Sequence, residues 1–247
     1  MKFDLFSSVS LLALGATLGL LAPSAANAGL VCGTSSCSET VGTGPTKTDF
    51  GTIVAGAPTA GVSVAINQFN STLGNLQSVV ITESGGFHST GSLTNTSPNP
   101  QSFSFALNMK LALGRGAGAP TNFPSILISG SGTSKSYNLA GSPGPGNVGS
   151  FTTSQALSPS SPVTITTLLS SYEGTGTFDA LFASKTGSSF SGGGGNIQTN
   201  LVTNATPSLT ITYNFTSTTV PTPEPASMAL LGAGLAGIGV IRRRRKV

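Results

Sequence analysis

Apolar and polar residues alternate along most of the chain between residues 29 and 219. Successive side chains of a β-strand point to opposite faces, so this alternation predicts strands with one face in a core and one in water. The longest run predicts a central strand at 103–113, with Phe103, Phe105, Leu107, Met109, Leu111 and Leu113 on its buried face. Further alternating segments are QSVVITES (77–84), HSTGSLTN (88–95), VTITTLLSS (163–171), TFDALFAS (177–184) and SLTITYNFT (208–216).

Clusters of glycine, proline, serine and asparagine separate these segments, at 84–86, 97–100, 141–146 and 192–195. Such clusters predict turns. No segment of the body has the 3.6-residue period of an amphipathic helix, and strand candidates recur about every ten residues. The pattern therefore predicts an all-β fold, an antiparallel β-sandwich, over residues 29–219.

Both ends of the chain depart from this alternation. At the N-terminus, Lys2 precedes an apolar run at 9–22 and a small-residue segment ending in Ala26-Asn27-Ala28. This order predicts a helical signal peptide at 1–28, cleaved before Gly29 by signal peptidase. The alternative is an uncleaved membrane helix, which the shortness of the apolar run disfavours.

At the C-terminus, the apolar segment 226–241 is followed by Arg242, Arg243, Arg244, Arg245 and Lys246. As a helix the segment would measure about 24 Å, against a hydrocarbon core of about 30 Å. It predicts a marginal single transmembrane helix, and the cation cluster places its end in the cytoplasm with the body across the membrane. Its glycines fit a weak, removable anchor better than a helix-dimerisation face.

Charge is scarce, because only 7% of residues are Asp, Glu, Lys or Arg. The formal net charge of +4 comes from the C-terminal cluster, since the body balances Lys47, Lys110, Arg115, Lys135 and Lys185 against Glu39, Asp49, Glu83, Glu173 and Asp179. A neutral body has no basic stripe to attract phosphate, so the composition argues against nucleic-acid binding.

The only cysteines, Cys32 and Cys37, lie just after the predicted signal peptide in the sequence CGTSSC. In an exported chain this spacing predicts a disulfide closing a small loop. Val31 precedes Cys32 where a lipidated cysteine would need a smaller residue, so a lipoprotein is disfavoured. Two thiols alone also make a poor metal site.

Residues that could support catalysis are few. His88 is the only histidine, so a Ser/His/Asp triad would need it with Asp49 or Asp179 and an unidentified serine, and no GxSxG motif identifies that serine. An exposed strand histidine is the simpler interpretation. The sequence predicts no catalytic residues, cofactor or metal site, although weak calcium binding through one carboxylate and backbone carbonyls stays open.

The order of motifs at the C-terminus, Pro223-Glu224-Pro225, a Gly/Ala/Leu-rich span and a terminal arginine run, closely resembles the PEP-CTERM sorting signal. The resemblance implies that an exosortase, a membrane-embedded protease, recognises Pro223, Glu224 and Pro225 and removes the tail within 220–247. The body would then reach the cell surface or extracellular polymeric material of a Gram-negative bacterium. The prolines hold the segment extended, as a protease substrate requires.

The body resembles the choice-of-anchor E domain. The resemblance rests on Phe69-Asn70, 73–76, 94–97, 174–177 and Thr212-Tyr213. It implies a mode of anchoring and no activity, and members of the family usually carry Asp where Asn70 stands.

These observations favour a non-enzymatic surface or biofilm-matrix protein, transiently anchored by its tail. The alternative is a carbohydrate-binding module, for an extracellular polysaccharide, held in the membrane by the C-terminal helix. Such a module needs exposed aromatic platforms, and with no Trp in the chain the candidates are Tyr137, Tyr172 and Tyr213. A third hypothesis is a hydrolase built around His88.

Overall fold

The computed structural model describes residues 26–27 and 29–218. The predicted C-terminal segment (220–247), with its transmembrane helix and cation cluster, lies outside the described residues. So does the predicted signal peptide (1–28), except for the two residues of the first strand. Within the described ranges, the structure has no helix with the length and apolarity that crossing a bilayer requires.

The described chain is built from short and long strands joined by turns. The strands are β1 (Ala26–Asn27), β2 (Val31–Cys32), β3 (Ser36–Gly42), β4 (Thr46–Lys47), β5 (Thr52–Val54), β6 (Ala57–Ala60), β7 (Val62–Asn67), β8 (Gly74–Asn95), β9 (Gln101–Arg115), β10 (Ile126–Ser131), β11 (Lys135–Leu139), β12 (Val148–Leu157), β13 (Val163–Ile165), β14 (Thr177–Gly192), β15 (Ile197–Ala205) and β16 (Ser208–Ser217). Two 3₁₀ helices, Ser71–Leu73 and Leu169–Tyr172, complete the secondary structure.

The strands form two main antiparallel sheets. The nine-stranded sheet has the order β1-β3-β16-β8-β15-β4, with β2 also on β3, and with β12 and β13 on β8. The five-stranded sheet has the order β10-β9-β14-β7, with β11 also on β9. Strands β5 and β6 form a separate hairpin. The prediction of an all-β, antiparallel fold is confirmed.

A single apolar core lies between the two sheets. It combines Ile81, Leu93 and Ile211 of the nine-stranded sheet with Phe105 and Leu111 of the five-stranded sheet, all of them fully buried. Two sheets that share one core make the layered arrangement of a β-sandwich.

The predicted central strand at 103–113 is confirmed as part of β9. Its alternate residues from Phe103 to Leu113 are buried, and β9 pairs with β14 on one edge and with β10 and β11 on the other. A strand with a buried face and two paired edges is central to its sheet, as the period-two pattern predicts.

The turn predicted at 84–86 is wrong, because β8 runs straight through it. At this point β8 exchanges β16 for β15 on one edge and β13 for β12 on the other. A Cβ on Gly85 would lie 2.6 Å from Leu111 Cδ1 of the facing sheet, and one on Gly86 would lie 2.8 Å from the Gln155 carbonyl oxygen. These glycines therefore permit close approach of other elements rather than a turn.

The strand predicted at 163–171 is wrong beyond Ile165. Leu168 adopts a left-handed conformation with φ 53°, and a 3₁₀ helix follows at Leu169–Tyr172. A residue in this region interrupts the extended backbone that a strand needs. The turns predicted at 97–100, 141–146 and 192–195 do separate successive strands.

Candidate functional site

The outer face of the nine-stranded sheet is covered with small hydroxyl and amide side chains. Ser38 and Thr212 lie opposite each other on β3 and β16, with their hydroxyl oxygens 3.1 Å apart. The next pair along, Thr40 and Thr210, is 3.0 Å apart in the same way. These cross-strand hydrogen bonds order the face without using ionic groups.

The same face carries His88 in a row of polar residues. Ser154 of β12 and Asn204 of β15 lie opposite His88 of β8, and Lys47 of β4 lies opposite Asn204. The His88 Nδ1 atom is 2.6 Å from Ser154 Oγ. An open groove of about 550 Å³ runs beside this pair, over Gly85 and Gly86.

The residues named for a catalytic triad are spread over two sheets. His88 lies on the nine-stranded sheet, whereas Asp179 lies opposite Ala65 in the five-stranded sheet. Both carboxylate oxygens of Asp49 accept hydrogen bonds from Thr186, at 2.7 Å from its backbone nitrogen and 3.0 Å from its hydroxyl. His88 therefore has a serine partner, but the Asp49 carboxylate is bonded to Thr186 and Asp179 lies in the other sheet.

The three tyrosines are buried, so they form no aromatic platform. Tyr172 and Tyr213 are fully buried and Tyr137 is 7% exposed. Tyr137 stacks on Phe103 with ring centroids 5.5 Å apart, and its hydroxyl donates to the Ser150 carbonyl. The described surface therefore offers no tyrosine on which a sugar ring could stack, as a carbohydrate-binding module would need.

Two carboxylates of the nine-stranded sheet point into the core. Glu39 Oε1 and Oε2 accept hydrogen bonds from the Asn67 side-chain and backbone nitrogens, at 2.8 and 3.0 Å. Burial nevertheless raises the pKa of Glu39, against the lowering effect of these bonds. Glu83 has no hydrogen-bond partner for either carboxylate oxygen among the described residues, and burial raises its pKa to about 9.

Several segments on which the body resemblance rests meet at one end of the sandwich. The Phe69 backbone nitrogen donates to the Tyr172 carbonyl, and the Gly174 nitrogen donates to the Phe69 carbonyl. Asn70 Oδ1 accepts from the Thr72 backbone nitrogen and caps the first 3₁₀ helix. Asparagine therefore serves here as a structural cap.

The role of Asn67 in binding buried polar groups could not be recognised from the sequence. It bonds Glu39 through its side chain and accepts the Tyr213 hydroxyl at 2.7 Å through its backbone oxygen. The three residues are far apart along the chain, and a lone Asn at the end of an alternating segment carries no signal that it meets a buried carboxylate.

Cys32 and Cys37 form a disulfide with an S–S distance of 2.04 Å. The two residues lie opposite each other in the short β2–β3 ladder, with Cys37 buried and Cys32 exposed. The bond joins the first residues of the body to the edge region of the nine-stranded sheet.

The predicted sorting residues Pro223, Glu224 and Pro225 lie outside the described residues, as do Arg242, Arg243, Arg244, Arg245 and Lys246. Residues 221–246 match the family model described as the PEP-CTERM protein-sorting motif. The match includes the Pro-Glu-Pro triplet and all five cations.

Neither a curated protein nor a solved structure matches the chain. The described part of the chain is an all-β fold, residues 221–246 carry the sorting motif, and the choice-of-anchor E resemblance of the body stays a prediction. The motif indicates export, processing by an exosortase and sorting to the cell envelope or surface.

Proposed function

We propose that this chain is a non-enzymatic protein of the cell surface or biofilm matrix of a Gram-negative bacterium. The observation that carries the proposal is the PEP-CTERM motif at 221–246. Signal peptidase removes residues 1–28, and segment 226–241 then holds the chain in the membrane. An exosortase recognises Pro223, Glu224 and Pro225 and releases the body, residues 29–219, to the outside.

The positions and partners of the acidic side chains in the body support a structural role. Asp49 binds Thr186, Glu39 binds Asn67, and Glu83 is enclosed in the core. Most of the few acidic groups are thus committed to the fold, whereas an acid–base catalyst needs them together at an accessible site.

The outer face of the nine-stranded sheet supports an extracellular polysaccharide as partner. Its hydroxyl and amide groups match the hydrogen-bonding groups of an uncharged sugar polymer, and they impose no charge requirement. Because the tyrosines are buried, this association rests on hydrogen bonds rather than on stacking. Weak binding at many places along a polymer suits a matrix component.

The sorting step is tested by C-terminal mass spectrometry of the protein from a host that makes an exosortase. We expect the wild-type body to lack the cation cluster, and Glu224→Ala to retain it in the membrane fraction. Thr219→Ala, outside the matched residues, is the control and should be processed normally. A mature wild-type protein that keeps residues 242–246 would overturn the sorting proposal in favour of a permanent anchor.

The absence of enzymatic activity is tested at the His88–Ser154 pair with a fluorophosphonate probe for nucleophilic serines. We expect equal background labelling of the wild-type protein and of Ser154→Ala, because Asp49 and Asp179 do not support His88 as a base. Labelling of the wild type that disappears in both Ser154→Ala and His88→Ala would establish a hydrolase-like site instead.

A further inference from the structure

On one side of the sandwich, each main sheet has a strand whose outer edge is paired over only part of its length. These strands are β14 and β15. On β14, β7 covers Thr177 to Phe182, the Phe50 carbonyl accepts the Ser184 amide at 3.0 Å, and Asp49 accepts the Thr186 amide at 2.7 Å. Alternate amides of a strand point to the same edge, so those of Ser188 and Phe190 point outward too. Among the described residues, no strand pairs with this part of the edge.

The edge of β15 on the same side is open in a corresponding way. β4 pairs with Asn204 and Ala205, and the Thr48 amide donates to the Thr203 carbonyl at 2.9 Å. By the same alternation, the backbone groups of Thr199 and Leu201 point outward. The described part of the chain places no strand against them.

The two open edges border a single slot between the sheets. Residues 46–50 close one end of the slot, and the glycine loop 192–196 joins β14 to β15 at the other end. Phe190 is 43% exposed in it, while Ile197 and Leu201 are only partly buried against the core. Apolar side chains here face the interior of an unclosed sandwich.

The slot lacks the usual protection of a strand edge. Proteins protect open edges with charged residues, with proline or with a covering segment. Residues 186–203, TGSSFSGGGGNIQTNLVT, contain neither a charged residue nor a proline. Two adjacent open edges without such protection are suited to strand pairing with another chain.

We propose that this slot is the interface of a symmetric dimer with a second copy of the chain. A two-fold axis perpendicular to the sheets pairs β14 with its counterpart and β15 with its counterpart, both antiparallel, and continues each sheet into the other copy. An isolated peptide strand could extend only one of the two edges. A second copy extends both and covers Phe190.

Charge is compatible with this partner. The slot is uncharged, and the body carries equal numbers of acidic and basic residues, so two copies meet without net repulsion. The dimer is independent of the sorting reaction, because its residues lie in the body and not in the matched tail.

The proposal is tested by sedimentation of the mature protein released from a producing host, over about two decades of concentration in the micromolar range. We expect a monomer–dimer equilibrium. Ser188→Pro combined with Thr199→Pro removes an outward amide from each edge and should weaken the dimer by about tenfold or more. Ser188→Ala combined with Thr199→Ala keeps both amides and is the matched control.

Amide hydrogen exchange of the wild-type protein gives a readout that does not depend on the folding of the variants. The amides of Ser188, Phe190, Thr199 and Leu201 should be protected at high concentration and exchange freely at low concentration. A monomer at all concentrations, equal dimerisation of the proline and alanine variants, or protection of these amides in the monomer by another segment or ligand would each overturn the proposal.

Discussion

The core contains two glutamates in similar positions but with different surroundings. Glu39 and Glu83 both lie on the inner face of the nine-stranded sheet, on strands that flank β16. Asn67 donates two hydrogen bonds to Glu39, whereas no group among the described residues bonds the Glu83 carboxylate. Burial raises both pKa values, and raises that of Glu83 to about 9.

The same contrast exists between two buried tyrosines. The Tyr213 hydroxyl donates to the Asn67 carbonyl at 2.7 Å, while the Tyr172 hydroxyl lacks a partner within the described structure. A buried polar group stabilises a fold only when its hydrogen bonds replace those it made to water. The polar groups that bond Asn67 should therefore contribute to stability, whereas loss of the unsatisfied carboxylate of Glu83 or hydroxyl of Tyr172 should be tolerated.

The largest expected effect is on the pH dependence of stability in Glu83→Gln. Since the folded-state pKa of Glu83 is about 9, against 4.5 for an ordinary glutamate, the folded state keeps a proton that the unfolded state releases. The contribution of Glu83 to stability is complete below pH 4.5 and is lost as pH rises towards 9. Between these pH values, Glu83 makes the free energy of unfolding fall as pH rises, and Glu83→Gln should reduce that slope by about 1.4 kcal/mol per pH unit.

Urea denaturation of the mature protein at several pH values measures this slope. Glu173→Gln, at a partly exposed position, removes one carboxylate without changing the core and serves as the control. An unchanged slope in Glu83→Gln would mean that Glu83 is ionised in the folded protein at neutral pH.

The next effect is expected in Asn67→Ala, which removes the side-chain donor to Glu39. While Glu39 is ionised, the loss of this charge-assisted hydrogen bond should lower the free energy of unfolding by about 2 kcal/mol. The lost donor also raises the pKa of Glu39 further, so the deficit should shrink as Glu39 becomes protonated at low pH.

A double-mutant cycle with Glu39→Gln assigns this cost to the pair. Free energies of unfolding of the two single variants and the double variant should reveal a coupling of at least about 0.5 kcal/mol. Additive effects would indicate that Asn67 acts through other contacts.

The contrast between these glutamates could not be predicted from the sequence. Glu39 and Glu83 both interrupt alternating strand patterns, and their partners depend on which strands pair. Alternation did predict β9, β16 and the all-β fold, because the period of two is a local property of the backbone. It did not predict the continuity of β8, because Gly85 and Gly86 resemble a turn unless the facing Leu111 is known.

A smaller effect is expected in Tyr213→Phe. The substitution removes the hydroxyl that bonds the Asn67 carbonyl and leaves the ring beside Phe69, with centroids 5.9 Å apart. The loss of one neutral hydrogen bond in the core should lower the free energy of unfolding by about 1 kcal/mol. Thermal and urea unfolding at neutral pH measure this difference. A stability equal to that of the wild type would show that the hydrogen bond between Tyr213 and Asn67 does not stabilise the fold.

The smallest effect is expected in Tyr172→Phe, which makes the same chemical change where the hydroxyl has no partner in the described part of the chain. The ring keeps its edge-to-face contact with Phe178, at a centroid distance of 5.8 Å. Removal of an unsatisfied buried hydroxyl should leave the stability unchanged or raise it by about 0.5 kcal/mol. Both tyrosines are fully buried, so a difference between the two variants measures hydrogen bonding rather than burial. A loss in Tyr172→Phe as large as that in Tyr213→Phe would contradict the contrast between satisfied and unsatisfied groups.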